Sequence, residues 1–213
     1  MFITLEGPDG AGKSSQAQQL AQRLRGAGVE VVLAREPGGT PLGEQIRHLL
    51  LGSSGPQRDA LTDALLFNAA RHQLVTEVIV PALDRDAWVI CDRYVDSTLA
   101  YQGYGGGVAL EALRDLAAIA TRGLLPDRTL LFDLPADAGL GRRAGGPSAD
   151  LTRFELSQDH DLAFHRRVRD GFLQLAAEEP SRWRIVDASA EPQQVTAAAW
   201  QALVDLLPVT RAR

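Results

Sequence analysis

Gly7-Pro8-Asp9-Gly10-Ala11-Gly12-Lys13-Ser14 fits the phosphate-loop spacing G-x-x-x-x-G-K-[ST] at every required position. The pattern has a chemical meaning. Its glycines let backbone N–H groups converge on a polyphosphate, and the helix that follows adds the positive end of its dipole. In such a loop Lys13 reaches the β- and γ-phosphates, and the Ser14 hydroxyl ligates Mg²⁺. The flanks agree. Phe2-Ile3-Thr4-Leu5 is a short apolar, β-prone run that feeds the loop, and Leu20 and Leu24, four apart, mark the helix leaving it. The loop implies a nucleoside triphosphate. It leaves open whether the phosphoryl group passes to water or to an acceptor.

Outward from the loop, strand-like and helix-like segments alternate, which predicts an α/β fold with a parallel sheet. Strands are expected at Phe2–Leu5, Val29–Ala34, Trp88–Cys91, Thr129–Phe132 and Arg184–Val186. Helices are expected over 13–26, 41–51, 59–82, 108–120, 136–143, 155–178 and 191–207. Gly103-Tyr104-Gly105-Gly106-Gly107 reads as a mobile or close-approach loop, and residues 144–150 as a flexible connection between two arginine-bearing segments. No internal repeat or linker divides the chain, so one domain spans 1–213.

The 213 residues, 45% hydrophobic, suffice for one substantial core. The net charge is −5 and no long basic run occurs, which disfavours a nucleic-acid partner. A bound anion must then be met locally by arginines. A single cysteine, Cys91, excludes an intrachain disulfide and suits a reducing cytosol, so a cytoplasmic location is expected. Cys91 ends an apolar run and reads as a small core residue. The apolar runs fall short of a membrane span. Met1 leads directly into the strand that feeds the loop, so no cleaved signal peptide is expected.

A second informative block is Cys91-Asp92-Arg93-Tyr94, directly after Trp88-Val89-Ile90. In phosphate-loop proteins a strand ending in Asp supports Mg²⁺ or its waters, which assigns Asp92. A hydrolase would place an acidic residue next, to orient water. Here Arg93 follows, which favours binding a second phosphate. A regulatory switch NTPase would carry a guanine-reading Asn-Lys-x-Asp motif, and none is present.

Gly7–Ser15, Arg35-Glu36-Pro37-Gly38-Gly39-Thr40, Asp92-Arg93-Tyr94 and Ser97-Thr98-Leu99-Ala100-Tyr101-Gln102-Gly103 together resemble bacterial thymidylate kinases, members of the nucleoside monophosphate kinase family. The resemblance runs over essentially the whole chain. It implies a five-stranded parallel sheet flanked by helices, with a mobile lid over the triphosphate. It also implies transfer of the γ-phosphoryl group of Mg-ATP to dTMP, giving dTDP and ADP for dTTP synthesis, by a homodimer.

The resemblance carries roles onto individual residues. The loop Gly7, Pro8, Asp9, Gly10, Ala11, Gly12, Lys13, Ser14 and Ser15 would bind ATP. Asp9 would sit near the 3′-hydroxyl of the acceptor; as a turn residue it would also suit Pro-Asp-Gly. Phe67 and Arg71, four apart on one helical face, match the ring that stacks on thymine and the arginine that bonds its edge. Taken alone they would be core packing and a solvated charge. Arg47 and Arg93 resemble the pair that grips the monophosphate, a role suited to the planar guanidinium fork. Ser97 lies in the same substrate-binding block. Thr98 and Gln102 match positions facing thymine, and Tyr101 the tyrosine that crowds C2′ of the sugar. Arg35 and Glu36 either position the acceptor and Mg²⁺-bound water or shape the turn.

In the bacterial type the phosphate loop lacks an arginine and the lid, about 142–153, supplies one. Gly10 and Ala11 fit this, and Arg142, Arg143 and Arg153 are the catalytic candidates. The connection Gly145-Gly146-Pro147-Ser148 is less basic than the family lid, and Thr152 replaces an acidic residue before Arg153, so the choice among the three stays open. His48, His72, His160 and His165 show no metal-binding spacing. Phe164, Val168 and Phe172 recur every four residues, as a core or dimer-facing stripe.

Overall fold

A computed structural model describes residues 1–52, 57–144 and 162–207 of the chain. β1 (Phe2–Glu6) is buried along its whole length and occupies the centre of a five-stranded sheet of order β2-β3-β1-β4-β5. The others are β2 (Val31–Arg35), β3 (Trp88–Asp92), β4 (Arg128–Asp133) and β5 (Trp183–Asp187), and every pairing is parallel. The five expected strands are therefore present, with boundaries shifted by one or two residues. Parallel strands need crossover connections, and the helices supply them on both faces.

These helices are α1 (Lys13–Gly26), α2 (Pro41–Leu51), α3 (Ala60–Leu74), α4 (Val80–Leu83), α5 (Val95–Thr98), α6 (Leu110–Thr121), α7 (Ala136–Ala144), α8 (Leu162–Glu178) and α9 (Pro192–Gln201). α1 buries Ala17, Leu20, Ala21 and Leu24, spaced three to four apart as one helical face requires. They pack with Ile3, Leu5, Ile90, Leu130 and Phe132 from alternate strand positions. The opposite face carries Phe2, Val89, Cys91 and Leu131 against Leu74, Leu113, Phe164, Val168 and Phe172. The stripe on α8 thus belongs to the core, as does Cys91, whose thiol burial pushes up in pKa.

Three expectations need correction. Residues 59–82 are not one uninterrupted helix: a wide π turn, Val75–Ile79, separates α3 from α4. Pro81 has no N–H to give to the carbonyl four residues back, and the wider turn accommodates that gap. Helix α9 stops at Gln201 and is followed by a 3₁₀ turn at Val204–Leu206. Gly103-Tyr104-Gly105 is not a loop; it lies in a second π turn, Leu99–Gly105, that continues α5. The close approach is real, since a Cβ on Gly105 would lie 2.6 Å from the Phe164 ring. Pro56, His160 and the segment 145–161 lie outside the described residues. Among those described, no helix is long and apolar enough to cross a membrane.

Candidate active site

The carboxyl ends of β1, β2 and β3 open onto a cleft of about 430 Å³. The phosphate loop joins β1 to α1 as expected. Gly7 has φ 137°, and a Cβ there would lie 2.4 Å from the Phe132 carbonyl oxygen; at Gly10, φ 77°, it would lie 2.5 Å from the Gly139 carbonyl oxygen. Neither position admits a side chain. Gly12 caps α1 with no side-chain bond, so the first-turn N–H groups stay available to an anion.

Lys13 is 6% exposed. Its Nζ donates to the carbonyls of Gly7, at 3.0 Å, and Pro8, at 2.7 Å. Burial, followed by the charge of Arg93, lowers its pKa to about 8. Ser14 and Ser15 are exposed and line the cleft. The Ser14 hydroxyl donates to Asp92 Oδ2 at 2.5 Å. These two hard oxygen donors, one opening α1 and one closing β3, suit Mg²⁺.

Arg93 follows Asp92 with φ 70°, a left-handed conformation that costs a non-glycine residue about 1–2 kcal/mol. Its surroundings hold it there. Its N–H donates to Leu5 O at 3.0 Å. Its Nη1 donates to Gly7 O at 3.3 Å and Ser97 Oγ at 3.0 Å. Its Nη2 donates to Asp9 Oδ1 at 2.6 Å and to Tyr101 Oη at 3.3 Å. Tyr101 in turn donates to Asp9 Oδ2 at 2.7 Å, and its ring lies 5.0 Å from the guanidinium carbon. Burial raises the Tyr101 phenol well above its ordinary value, so the hydroxyl keeps its proton and remains a donor.

Arg71 on α3 is 1% exposed. Its Nε lies 2.9 and 3.1 Å from the two Glu36 oxygens, and Nη2 lies 2.7 Å from Glu36 Oε2. Nη2 also donates to Tyr94 O and Thr98 Oγ1, each at 3.0 Å, and Nη1 to Asn68 Oδ1 at 2.9 Å. A guanidinium has five N–H groups, and these bonds take one of the two on Nη1. Glu36, read from the sequence as either an acceptor-positioning or a turn residue, binds Arg71. Burial raises its carboxyl pKa, and Arg71 opposes the rise.

Phe67 is half-buried, and Thr98 and Gln102 are buried; all three line the cleft beside Arg71. Arg47 is half-buried, with Nη1 donating to Pro37 O at 2.8 Å. Arg142 on α7 also lines the cleft and donates to Ala188 O at 2.9 Å. With Arg35, Arg47, Arg71 and Arg93 it meets the expectation that arginines supply local positive charge in an acidic chain. The backbone of Arg143 lies on α7; Arg153 and the lid span 145–153 lie outside the described residues.

Sequence reasoning missed Asn68 and Glu6. Asn68 precedes Arg71 by three, the spacing of helical neighbours, and could have been read as its partner. Glu6 is 0% exposed, and burial and then Asp96 push its carboxyl up to about 8. An acidic residue ending a buried strand was the available signal. Pro37 and Leu51 are further lining residues with no chemical signature in the sequence.

Comparison with known proteins matches this geometry to a family. The family described as thymidylate kinase matches residues 5–199. The chain is 50% identical over 206 residues to a thymidylate kinase of Thermomicrobium roseum, covering 97% of this chain and 95% of that one. It is 48% identical over 203 residues to the thymidylate kinase of Deinococcus radiodurans, covering 95% and 96%. The crystal structure of thymidylate kinase from Ehrlichia chaffeensis superposes with a TM-score of 0.76 at 35% identity, covering 95% of this chain and 98% of that one.

Proposed function

The chain belongs to the thymidylate kinase family, which phosphorylates dTMP to dTDP with ATP, and from that premise we propose how its own residues carry the transfer. The observation that carries the proposal is the placement of Lys13, the Ser14–Asp92 pair, Arg93 and the Phe67–Arg71 pair around one cleft. The phosphate loop binds ATP, with Lys13 turning from the Gly7 and Pro8 carbonyls to the phosphates. Arg93 and Arg47 grip the acceptor phosphate. Phe67 stacks on thymine, and Arg71, with Thr98 and Gln102, reads its edge. Tyr101 crowds C2′ of the sugar, Asp9 faces the 3′-hydroxyl, and Ser97 supports Arg93.

The acceptor phosphate is ionised near neutral pH, so no strong general base is required. Transfer is in line, by positioning and charge neutralisation. Ser14 and Asp92 would hold Mg²⁺, which when bound screens the β- and γ-phosphate oxygens. Of the lid arginines, Arg142 is the described one at the cleft. It would release Ala188 O to approach the γ-phosphate, and the lid around it would exclude water as a competing acceptor.

We further read the protein as a cytoplasmic homodimer of single-domain chains. Leu42 and Leu49 on α2, Leu61 and Leu65 on α3, and Ile119 on α6 are all exposed, which supports an apolar subunit contact; light scattering on the purified chain tests it. The activity test is ADP release from Mg-ATP with dTMP, dUMP, dCMP, dGMP, UMP or no acceptor. Strong preference for dTMP is expected. Preference for another monophosphate would discard the thymine pocket, and equal turnover without acceptor would discard acceptor phosphorylation.

A further inference from the structure

The last two residues of β1 and the first residue of the phosphate loop each touch the turn that carries Arg93. Leu5 O accepts the Arg93 N–H at 3.0 Å. Glu6 Oε1 accepts the Tyr94 N–H at 2.7 Å, and Glu6 Oε2 accepts from the Ser97 hydroxyl at 2.5 Å. Gly7 O accepts from Arg93 Nη1 at 3.3 Å and from Lys13 Nζ at 3.0 Å. Ser97 Oγ closes the circuit by accepting from Arg93 Nη1 at 3.0 Å. The lysine of the donor loop and the arginine of the acceptor side therefore hang from one strand end. Glu6 is the β1 side chain that binds this turn.

Glu6 is an expensive way to fill this position. It shares a face with Phe2 and Thr4 through the strand alternation, and all three are 0–1% exposed. A buried carboxyl is costly unless its bonds are made. Asp96 nearby worsens the cost, although Asp96 is itself paired with Arg182 at 2.7 Å. An apolar side chain would suit the core at lower cost, but it would not bind the Tyr94 amide and the Ser97 hydroxyl together.

We propose that Glu6 is a positioning residue for the acceptor: through Ser97 and the Tyr94 amide it holds the Arg93 guanidinium in register with the phosphate loop. Small displacements of a positioned group are expensive in phosphoryl transfer, because the donor and acceptor oxygens must stay in line. The inference rests on the reading of Arg93 as the acceptor-phosphate clamp.

The test measures steady-state kinetics with dTMP and ATP varied separately, alongside thermal unfolding, for Glu6→Ala, Ser97→Ala, the double variant and Arg93→Lys. Glu6→Ala should raise KM for dTMP by about ten-fold and leave KM for ATP within about two-fold. Ser97→Ala, which breaks one of the two Glu6 bonds, should shift KM for dTMP the same way, and the double variant should fall short of the product of the two single effects, since they share the Glu6–Ser97 link. Should Glu6→Ala not fold, Glu6→Asp carries the test, because it keeps the carboxyl group but is one methylene too short to reach both donors. Equal shifts in both KM values, an unchanged KM for dTMP in a folded Glu6 variant, or additive effects in the double variant would overturn the proposal. Arg93→Lys separates the two levels. If it leaves KM for dTMP unchanged, the clamp reading itself fails; if it raises KM while the Glu6 and Ser97 variants do not, only the role of Glu6 fails.

Discussion

Arg93 and Asp9 stand 84 positions apart in the chain, yet Arg93 Nη2 lies 2.6 Å from Asp9 Oδ1. The contact crosses from the turn after β3 to the phosphate loop after β1. It keeps the guanidinium aimed into the cleft, and Tyr101 braces the carboxylate from its other oxygen. An anion inside a phosphate loop would repel a polyphosphate, and pairing with Arg93 removes most of that penalty.

Asp9→Ala removes the acceptor of both the Arg93 and the Tyr101 bond and loosens the guanidinium, which keeps its bonds to Gly7 O and Ser97 Oγ. A hydrogen bond to a charged group contributes about 1.5–3 kcal/mol, so KM for dTMP should rise by roughly ten-fold or more, with Asp9→Asn intermediate. Steady-state kinetics with varied dTMP checks this. An unchanged KM would reduce Asp9 to a turn residue.

Lys13 is the sole lysine among the 213 residues. Lys13→Ala should cut turnover by at least about 10²-fold, the scale for losing a preorganised charge at the transition state. Its stability effect should run the other way. Burial holds the folded-state pKa at about 8, below the ordinary lysine value, so the ammonium destabilises the unliganded fold at neutral pH and its removal should leave the melting temperature unchanged or higher. Differential scanning calorimetry of both proteins reads that sign. A lysine-directed aldehyde should inactivate the enzyme in step with modification of Lys13, and Mg-ATP should protect it.

Ser14 and Asp92 offer two hard oxygen donors to one cation. Chelation with EDTA should abolish ADP formation, and added Mg²⁺ should restore it. Asp92→Asn should raise the Mg²⁺ concentration needed for half-maximal rate by about ten-fold, measured by titrating Mg²⁺ at fixed ATP. Activity that survives exhaustive chelation would remove the metal from the scheme.

Glu6 should leave a signature in stability against pH. Its folded-state pKa, about 8, is raised above the unfolded value by burial and then by Asp96. The folded state therefore binds more protons than the unfolded state between the two values, and stability falls as pH rises from about 5 to 8. Glu6→Gln removes that titration. Plotted against pH, the melting temperature of the wild type minus that of Glu6→Gln should decline across this window. A flat difference would contradict the raised pKa.

How far the sequence alone reaches varies along the chain. The β1–loop–α1 unit was legible throughout, because its rules are local: an apolar run, glycines at positive φ, and leucines four apart. The turn at Leu99–Gly105 was not. Its glycines read as a loop on propensity, whereas the demand for them comes from Phe164 on α8, whose ring leaves no room for a Cβ at Gly105. Propensity describes what a segment does alone, and this segment is shaped by a helix some sixty positions later.

The same division runs through the site. Residue types and short-range spacing were enough to mark a phosphate loop, Asp92 as a candidate for Mg²⁺ and Arg93 as a candidate for a second phosphate. Which side chains meet was decided by the strand order β2-β3-β1-β4-β5, which sets Leu5 beside Asp92 and so carries the Arg93 turn onto the end of β1. It also joins Arg71 to Glu36 across 35 positions and Tyr101 to Asp9 across 92. Hydrogen bonds and ion pairs act over a few ångströms of space. No spacing along one strand of sequence records where a parallel sheet will bring another.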